Sequence, residues 1–131
     1  MRNLLLLVLG LALGAVIASI LLNAMYRREA YARGVMQVLQ HQYAPLRERL
    51  RKADCANIDV SDSKHRLAEL TEEIEPSTYP DSKPDAPFRE YTSRLREAVA
   101  DLPTGSASCA AVAPIVTRIG DACETCHRQY R

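Results

Sequence analysis

Near its end the chain reads Cys123-Glu124-Thr125-Cys126-His127, a C-x-x-C-H run. On a helix these two thiols and the imidazole stand at i, i+3 and i+4, so all three project from one face. C-x-x-C-H is the run at which haem is attached covalently, and the chemistry accounts for the spacing. Two thiols have to reach two vinyl groups on one edge of a single porphyrin. The neighbouring imidazole then turns under the ring to meet the iron. The expectation is one haem c, held by thioethers from Cys123 and Cys126 and bound at iron by His127. A fold that accepts such a group must gather several apolar faces around a large flat ring.

Two other readings of the motif compete. A thioredoxin-like C-x-x-C pair usually opens a helix that follows a strand, whereas this pair closes a helical segment. Zinc commonly takes four protein ligands from two short-spaced pairs. Only Cys55 and Cys109 remain to complete such a set, and each is isolated in the sequence. Haem is the favoured reading.

The 131 residues suit one compact domain with an appendage. With 17 basic and 16 acidic residues, bulk charge points to no nucleic acid and to no strongly charged partner. Trp is absent, Phe occurs once and Tyr six times. So small an aromatic supply suits a core whose largest flat group is a porphyrin.

The appendage is the first 26 residues. From Leu4 to Leu22 runs an apolar stretch of 19 residues broken only by Gly10, Gly14 and Ser19. As a helix it spans roughly 29 Å, close to the hydrocarbon thickness of a bilayer. A cleaved signal has a shorter apolar core and an A-x-A-like site. Val16-Ile17-Ala18 and Leu22-Asn23-Ala24 are poor matches to one, so an uncleaved anchor is preferred to a cleaved signal. Arg27, Arg28 and Arg33 follow the run and Arg2 precedes it, so the positive-inside tendency pulls against export. The C-x-x-C-H run outweighs it, because bacterial c-type haem is attached outside the inner membrane. The division expected is therefore 1–26 as anchor and 27–131 as an exported domain.

That domain reads as helices. Ala32, Met36, Leu39, Tyr43, Leu46 and Leu50 recur at spacings of 4, 3, 4, 3 and 4, with Pro45 expected to kink or restart the helix by removing a bond to the carbonyl of His41. A second helix begins near Ser61 and carries Leu67, Leu70 and Ile74. Pro76, Pro80, Pro84 and Pro87 suggest a stiff, extended connection. A third starts at about Pro87 behind Asp85, with Phe88, Tyr91, Leu95, Ala98 and Leu102 inward. A fourth starts at about Ser108 and carries Val112, Ile115, Ile119, Ala122 or Cys123, and Cys126, despite Pro114. Four amphipathic helices on fairly short links read as an up-down-up-down bundle.

The chain here resembles the class II c-type cytochromes, the cytochrome c′ family, over roughly residues 26 to 131. One carrier is Ile119-Gly120-Asp121-Ala122-Cys123-Glu124-Thr125-Cys126-His127-Arg128-Gln129-Tyr130-Arg131, similar to the family's haem helix. The other is Tyr31-Ala32-Arg33-Gly34-Val35-Met36, similar to the segment facing the opposite side of the haem. Class I cytochromes c place the motif near the N-terminus, so its position here is a specific clue. The resemblance implies an all-α four-helix bundle with haem among the helices and His127 as fifth iron ligand. Low-spin members supply a methionine as sixth ligand and transfer electrons. High-spin members leave that position open and bind small gases.

Met36 sits where the sixth ligand would be. It is either that thioether, which would raise the reduction potential and block gas binding, or core packing. Arg33 is a candidate propionate contact, because guanidinium matches carboxylate geometry, or a solvated or headgroup-facing charge. His41 and His65 read as surface or satisfied core residues. Arg47 to Lys52 suit a helix C-terminus, and Glu69, Glu72, Glu73 and Glu75 suit a solvated face. In an up-down-up-down bundle helix one ends where helix four begins, so Cys55 and Cys109 are expected to form a disulfide on the oxidising side of the membrane. The same topology places the haem in the membrane-proximal half.

The expectation is thus a membrane-anchored, single-haem electron carrier rather than an enzyme, in the bacterial inner membrane with its haem domain in the periplasm. Its partners would be membrane-bound or periplasmic redox proteins. The alternatives are a high-spin binder of nitric oxide or carbon monoxide on the same fold, and a soluble periplasmic form after signal cleavage. Monomer and homodimer both stay open.

Overall fold

A computed structural model of the chain describes residues 2–54 and 58–130, without the side chains of residues 2, 4, 5, 25, 27, 28 and 58. The order is α1 (Arg2–Arg51), β1 (Ile58–Asp59), α2 (Ser61–Glu72), α3 (Ile74–Thr78), α4 (Ala86–Ala100), β2 (Ser106–Ala107) and α5 (Cys109–Gln129). The described residues are all-α in character, with four long helices, one short helix and a two-residue antiparallel clip.

The first helix joins the apolar segment to the first amphipathic stripe without interruption over 50 residues. Its N-terminal part is long and apolar enough to cross a membrane, and none of that part is buried in the protein. Leu6, Leu11, Ile20 and Leu22 are all exposed there. Farther along the same helix, Val35, Leu39, Tyr43 and Leu46 are buried. Helix α1 continues through Pro45, where a kink or restart was expected. Tyr43 and Leu46 are buried on either side of the proline, so packing holds the helix across one missing bond.

Side-chain pairs tie the neighbouring helices together, and pairs at both ends of the α4–α5 contact show those two to be antiparallel. Tyr31 Oη of α1 donates to Glu73 at 2.9 Å, beside the end of α2. Lys64 of α2 donates to the Leu102 carbonyl at 2.6 Å, while Arg96 of α4 reaches back to Glu75 at 2.9 Å. Asp101 and Arg118 pair at 2.6 Å at one end of the α4–α5 contact, and Tyr130 and Asp85 bond at 2.7 Å at the other. Tyr43 Oη of α1 donates to the Val116 carbonyl of α5 at 3.0 Å.

The helix starts follow local chemistry. Asp85 caps α4 by accepting the Phe88 N–H at 2.8 Å, and Ser108 caps α5 through the Ala111 N–H at 3.3 Å. Proline in the 76–87 stretch is less extended than expected. Pro76 lies in the first turn of α3 and Pro87 in that of α4. A first-turn N–H has no intrahelical acceptor, so proline costs little there. Only residues 79–85 remain as a connection.

The clip pairs Ile58 with Ala107 and Asp59 with Ser106. Gly105, at φ 85°, donates its N–H to Ser61 Oγ at 2.6 Å and ties the α4–α5 link to the start of α2. Cys109, next to this clip, is disulfide-bonded. Cys55, expected to be its partner, lies outside the described residues.

The core runs along the bundle through Leu67, Ile74, Phe88, Leu95, Val99, Leu102, Val112, Val116 and Ile119, facing the α1 stripe. Buried Thr71 and Ser77 hydroxyls donate to the carbonyls of Ala68 and Ile74, which settles their polarity locally.

A candidate cofactor cavity between the first and last helices

The C-x-x-C-H run occupies the last turns of α5. Helical spacing turns Cys123, Cys126 and His127 toward one cavity of about 430 Å³, a size typical of small-molecule and cofactor sites. Helix α1 supplies the facing wall with Arg33, Met36, Gln37, Leu39 and Gln40. Ile74 of α3 and Tyr91, Thr92 and Leu95 of α4 complete it. The cavity is therefore an apolar slot with thiols and an imidazole on one side and a thioether on the other. It lies in the half of the bundle nearest the apolar segment of α1.

Met36 is half-buried and shares the cavity with His127, which is exposed. Burial pushes the Cys123 thiol up to about 11, with Cys126 adding to the rise, and burial also raises Cys126. Both shifts run opposite to the lowered thiols of dithiol redox sites. A four-ligand zinc set would have needed Cys109, which a disulfide engages. Among the described residues no group of three or more His, Cys, Asp and Glu side chains is gathered to hold a metal ion.

Arg33 lines the cavity, but its guanidinium already bonds Glu29 at 2.5 Å and lies 5.9 Å from the Tyr26 ring centroid. Both partners sit on α1 between Arg33 and the apolar segment, so the charge is turned away from the cavity interior. His41 is exposed and outside the cavity, and His65 faces Glu69 at 3.3 Å. The Arg47–Lys52 run is satisfied in part by Glu48, which bonds Arg51 and Lys52 at 2.7 and 3.2 Å.

Glu75 does not lie on the solvated face expected of it: it is half-buried, because docking of α4 supplies its partners. Buried Thr92 donates to Glu75 at 2.5 Å, and Arg96 bonds the same carboxylate at 2.9 Å. These partners hold the Glu75 carboxyl below its ordinary range, the Thr92 hydrogen bond most strongly. Two elements, α3 and α4, are needed to build this cluster, so no local pattern announces it. Tyr91 reaches the cavity from α4 and meets the Tyr130 ring at 6.1 Å, which in turn meets Phe88 at 5.1 Å.

The donor set matches one group well. Two thiols at i and i+3 can carry a porphyrin edge, His127 and Met36 can hold iron, and Leu39, Ile74 and Leu95 can cover an apolar ring. No known protein family, curated protein or solved structure matches the chain.

Proposed function

We propose that this protein is a membrane-anchored, single-haem c-type cytochrome that transfers electrons outside the bacterial inner membrane. The haem domain is an up-down-up-down bundle of the cytochrome c′ kind. One observation carries the reading: Cys123, Cys126 and His127 from α5 and Met36 from α1 line the same apolar cavity.

Bound haem would supply a one-electron couple between ferrous and ferric iron. Every other task falls to the chain. Cys123 and Cys126 hold the porphyrin by thioethers, so it is not lost to the medium. His127 of α5 and the Met36 thioether of α1 would hold the iron. A methionine there favours the ferrous state and closes the position a gas would take. Leu39, Ile74 and Leu95 keep water from the ring. The apolar segment of α1 anchors the domain, and no nucleic acid is involved.

The decisive experiment is expression in a host with c-type maturation. The purified protein should carry one haem mass that survives acid-acetone extraction, and Cys123→Ala or Cys126→Ala should weaken its retention. Haem that extracts completely from the wild type would end this reading.

A further inference from the structure

Helix α1 carries both the apolar segment and one wall of the cavity, with no break between them. Leu22 closes the apolar run, and Arg33, Met36 and Gln40 lie 11, 14 and 18 positions farther along the same helix. For an upright helix they stand roughly 16, 21 and 27 Å above Leu22. A tilt of about 20° shortens these heights by less than a tenth. The headgroup layer takes up only about 6 Å of that distance.

The domain itself begins lower. Glu29, seven positions past Leu22, shares a groove with Thr78, Tyr79 and Pro80 of the link between α3 and α4. That places the floor of the domain roughly 10 Å above Leu22, against the headgroups. The same lower layer contains the edge-to-face stack of Tyr79 on Phe88 and Phe88 on Tyr130, at 4.9 and 5.1 Å. Between Leu22 and Met36 there is no proline and one glycine, Gly34, inside the helix. A domain that searches solution on a tether would need a flexible linker there.

From this geometry we infer that the electron partner is a second membrane-embedded protein holding its own redox group at the height of the cavity. A quinol dissolved in the bilayer does not exchange electrons directly with this chain. Its ring, confined to the headgroup layer, stays roughly 15 Å below Met36. The two proteins meet by moving in the plane of the membrane, and a rigid helix keeps their redox groups level. The inference rests on the electron-transfer reading and on retention of the apolar segment as an anchor.

The test uses the full-length holoprotein in phosphatidylcholine vesicles with ferrocene-bearing lipids as probes. The ferrocene is carried on polyproline arms of two or five residues, reaching about 6 or 15 Å above the headgroup, the second level with Met36. The long arm should exchange electrons with the protein on the order of tenfold faster than the short one. Equal rates with both arms, or equally fast reduction by decylubiquinol in the bilayer, would overturn the inference.

A second measurement does not depend on haem. In a Cys123→Ala, Cys126→Ala background, a fluorophore is placed at Tyr26→Cys or Gln40→Cys. Headgroup spin-labelled lipid should quench the first label several-fold more than the second. Equal quenching would mean that α1 lies down on the membrane and would overturn the inference. Wild type lacking covalent haem would sink the electron-transfer reading, and the inference with it, while the label depths stayed as stated. The two failures are thus told apart.

Discussion

Tyr43 Oη lies 2.6 Å from the point that a β-carbon on Gly120 would occupy. The same hydroxyl donates to the Val116 carbonyl at 3.0 Å, one turn earlier on α5. Gly120 is thus the residue that lets a buried tyrosine of α1 lie flat against the helix bearing the C-x-x-C-H run. Alanine at 120 would gain about 1 kcal/mol of helix propensity but would drive Tyr43 out of its place, at a cost of about 1–3 kcal/mol. Gly120→Ala should therefore destabilise the protein. Tyr43→Phe alone should cost about 0.5–1.5 kcal/mol for the lost hydrogen bond. With the hydroxyl gone, Gly120→Ala should become neutral or stabilising, a coupling of at least about 1 kcal/mol. Thermal unfolding of the four proteins in detergent measures it, and additive effects would refute the contact.

Much of this arrangement is legible in the residue pattern, and the remainder has a physical reason for being hidden. The α1 stripe at Leu39, Tyr43 and Leu46 is buried as its period implies. Val35 and Val116 are buried too, because a core-facing helix buries a band wider than one row. Pro76 reads as part of an extended link because composition does not reveal that it falls in a first turn, whereas Pro87 behind Asp85 reads as a helix start and is one. At the cavity, spacing alone places Cys123, Cys126 and His127 on one face. The opposite wall of Ile74, Tyr91, Thr92 and Leu95 arises only when α3 and α4 dock. The Thr92–Glu75–Arg96 cluster likewise depends on pairing across elements, which no period encodes.

Ala53 ends the first helix at φ 52°, a left-handed conformation that a β-carbon disfavours. The Asp54 N–H closes back on the Arg49 carbonyl at 3.0 Å, so the turn is a helix stop of the kind glycine usually makes. Ala53→Gly should relieve the strain and, after the greater entropy of unfolded glycine, stabilise the protein by about 0.5–1 kcal/mol. A lowered melting temperature would show that the turn is held by something other than backbone preference.

Met36 separates electron carriage from gas binding. If its thioether holds the iron, wild-type protein should be low-spin with a weak sulfur-to-iron band when oxidised. Met36→Ala should turn high-spin and bind carbon monoxide readily, because no other cavity-lining residue of α1 carries sulfur. The oxidised and reduced visible spectra, before and after carbon monoxide, decide it. A wild type that is already high-spin and binds the gas would move the function to the gas-binding alternative.

The Asp85–Tyr130 bond should shape stability at both ends of the pH scale. Tyr130 donates to Asp85 at 2.7 Å, and the Phe88 N–H donates to the same carboxylate at 2.8 Å. Asp85 is thereby held below the usual carboxylate range, the Tyr130 bond contributing most. Its stabilisation is complete above the unfolded value of about 4 and fades as pH falls through the lower folded value. Tyr130 is pushed up to about 12, chiefly by the same bond. Its stabilisation is complete below the unfolded value of about 10 and fades as pH rises toward the folded one. Tyr130→Phe removes the Tyr130 contribution and the larger part of the Asp85 one, leaving the Phe88 N–H bond, while keeping the ring stacked on Phe88. Subtracting its stability from that of wild type should leave a plateau from about pH 5 to 9, falling below about pH 4 and above about pH 10. A difference that stays level at both extremes would mean the pair is not formed in solution.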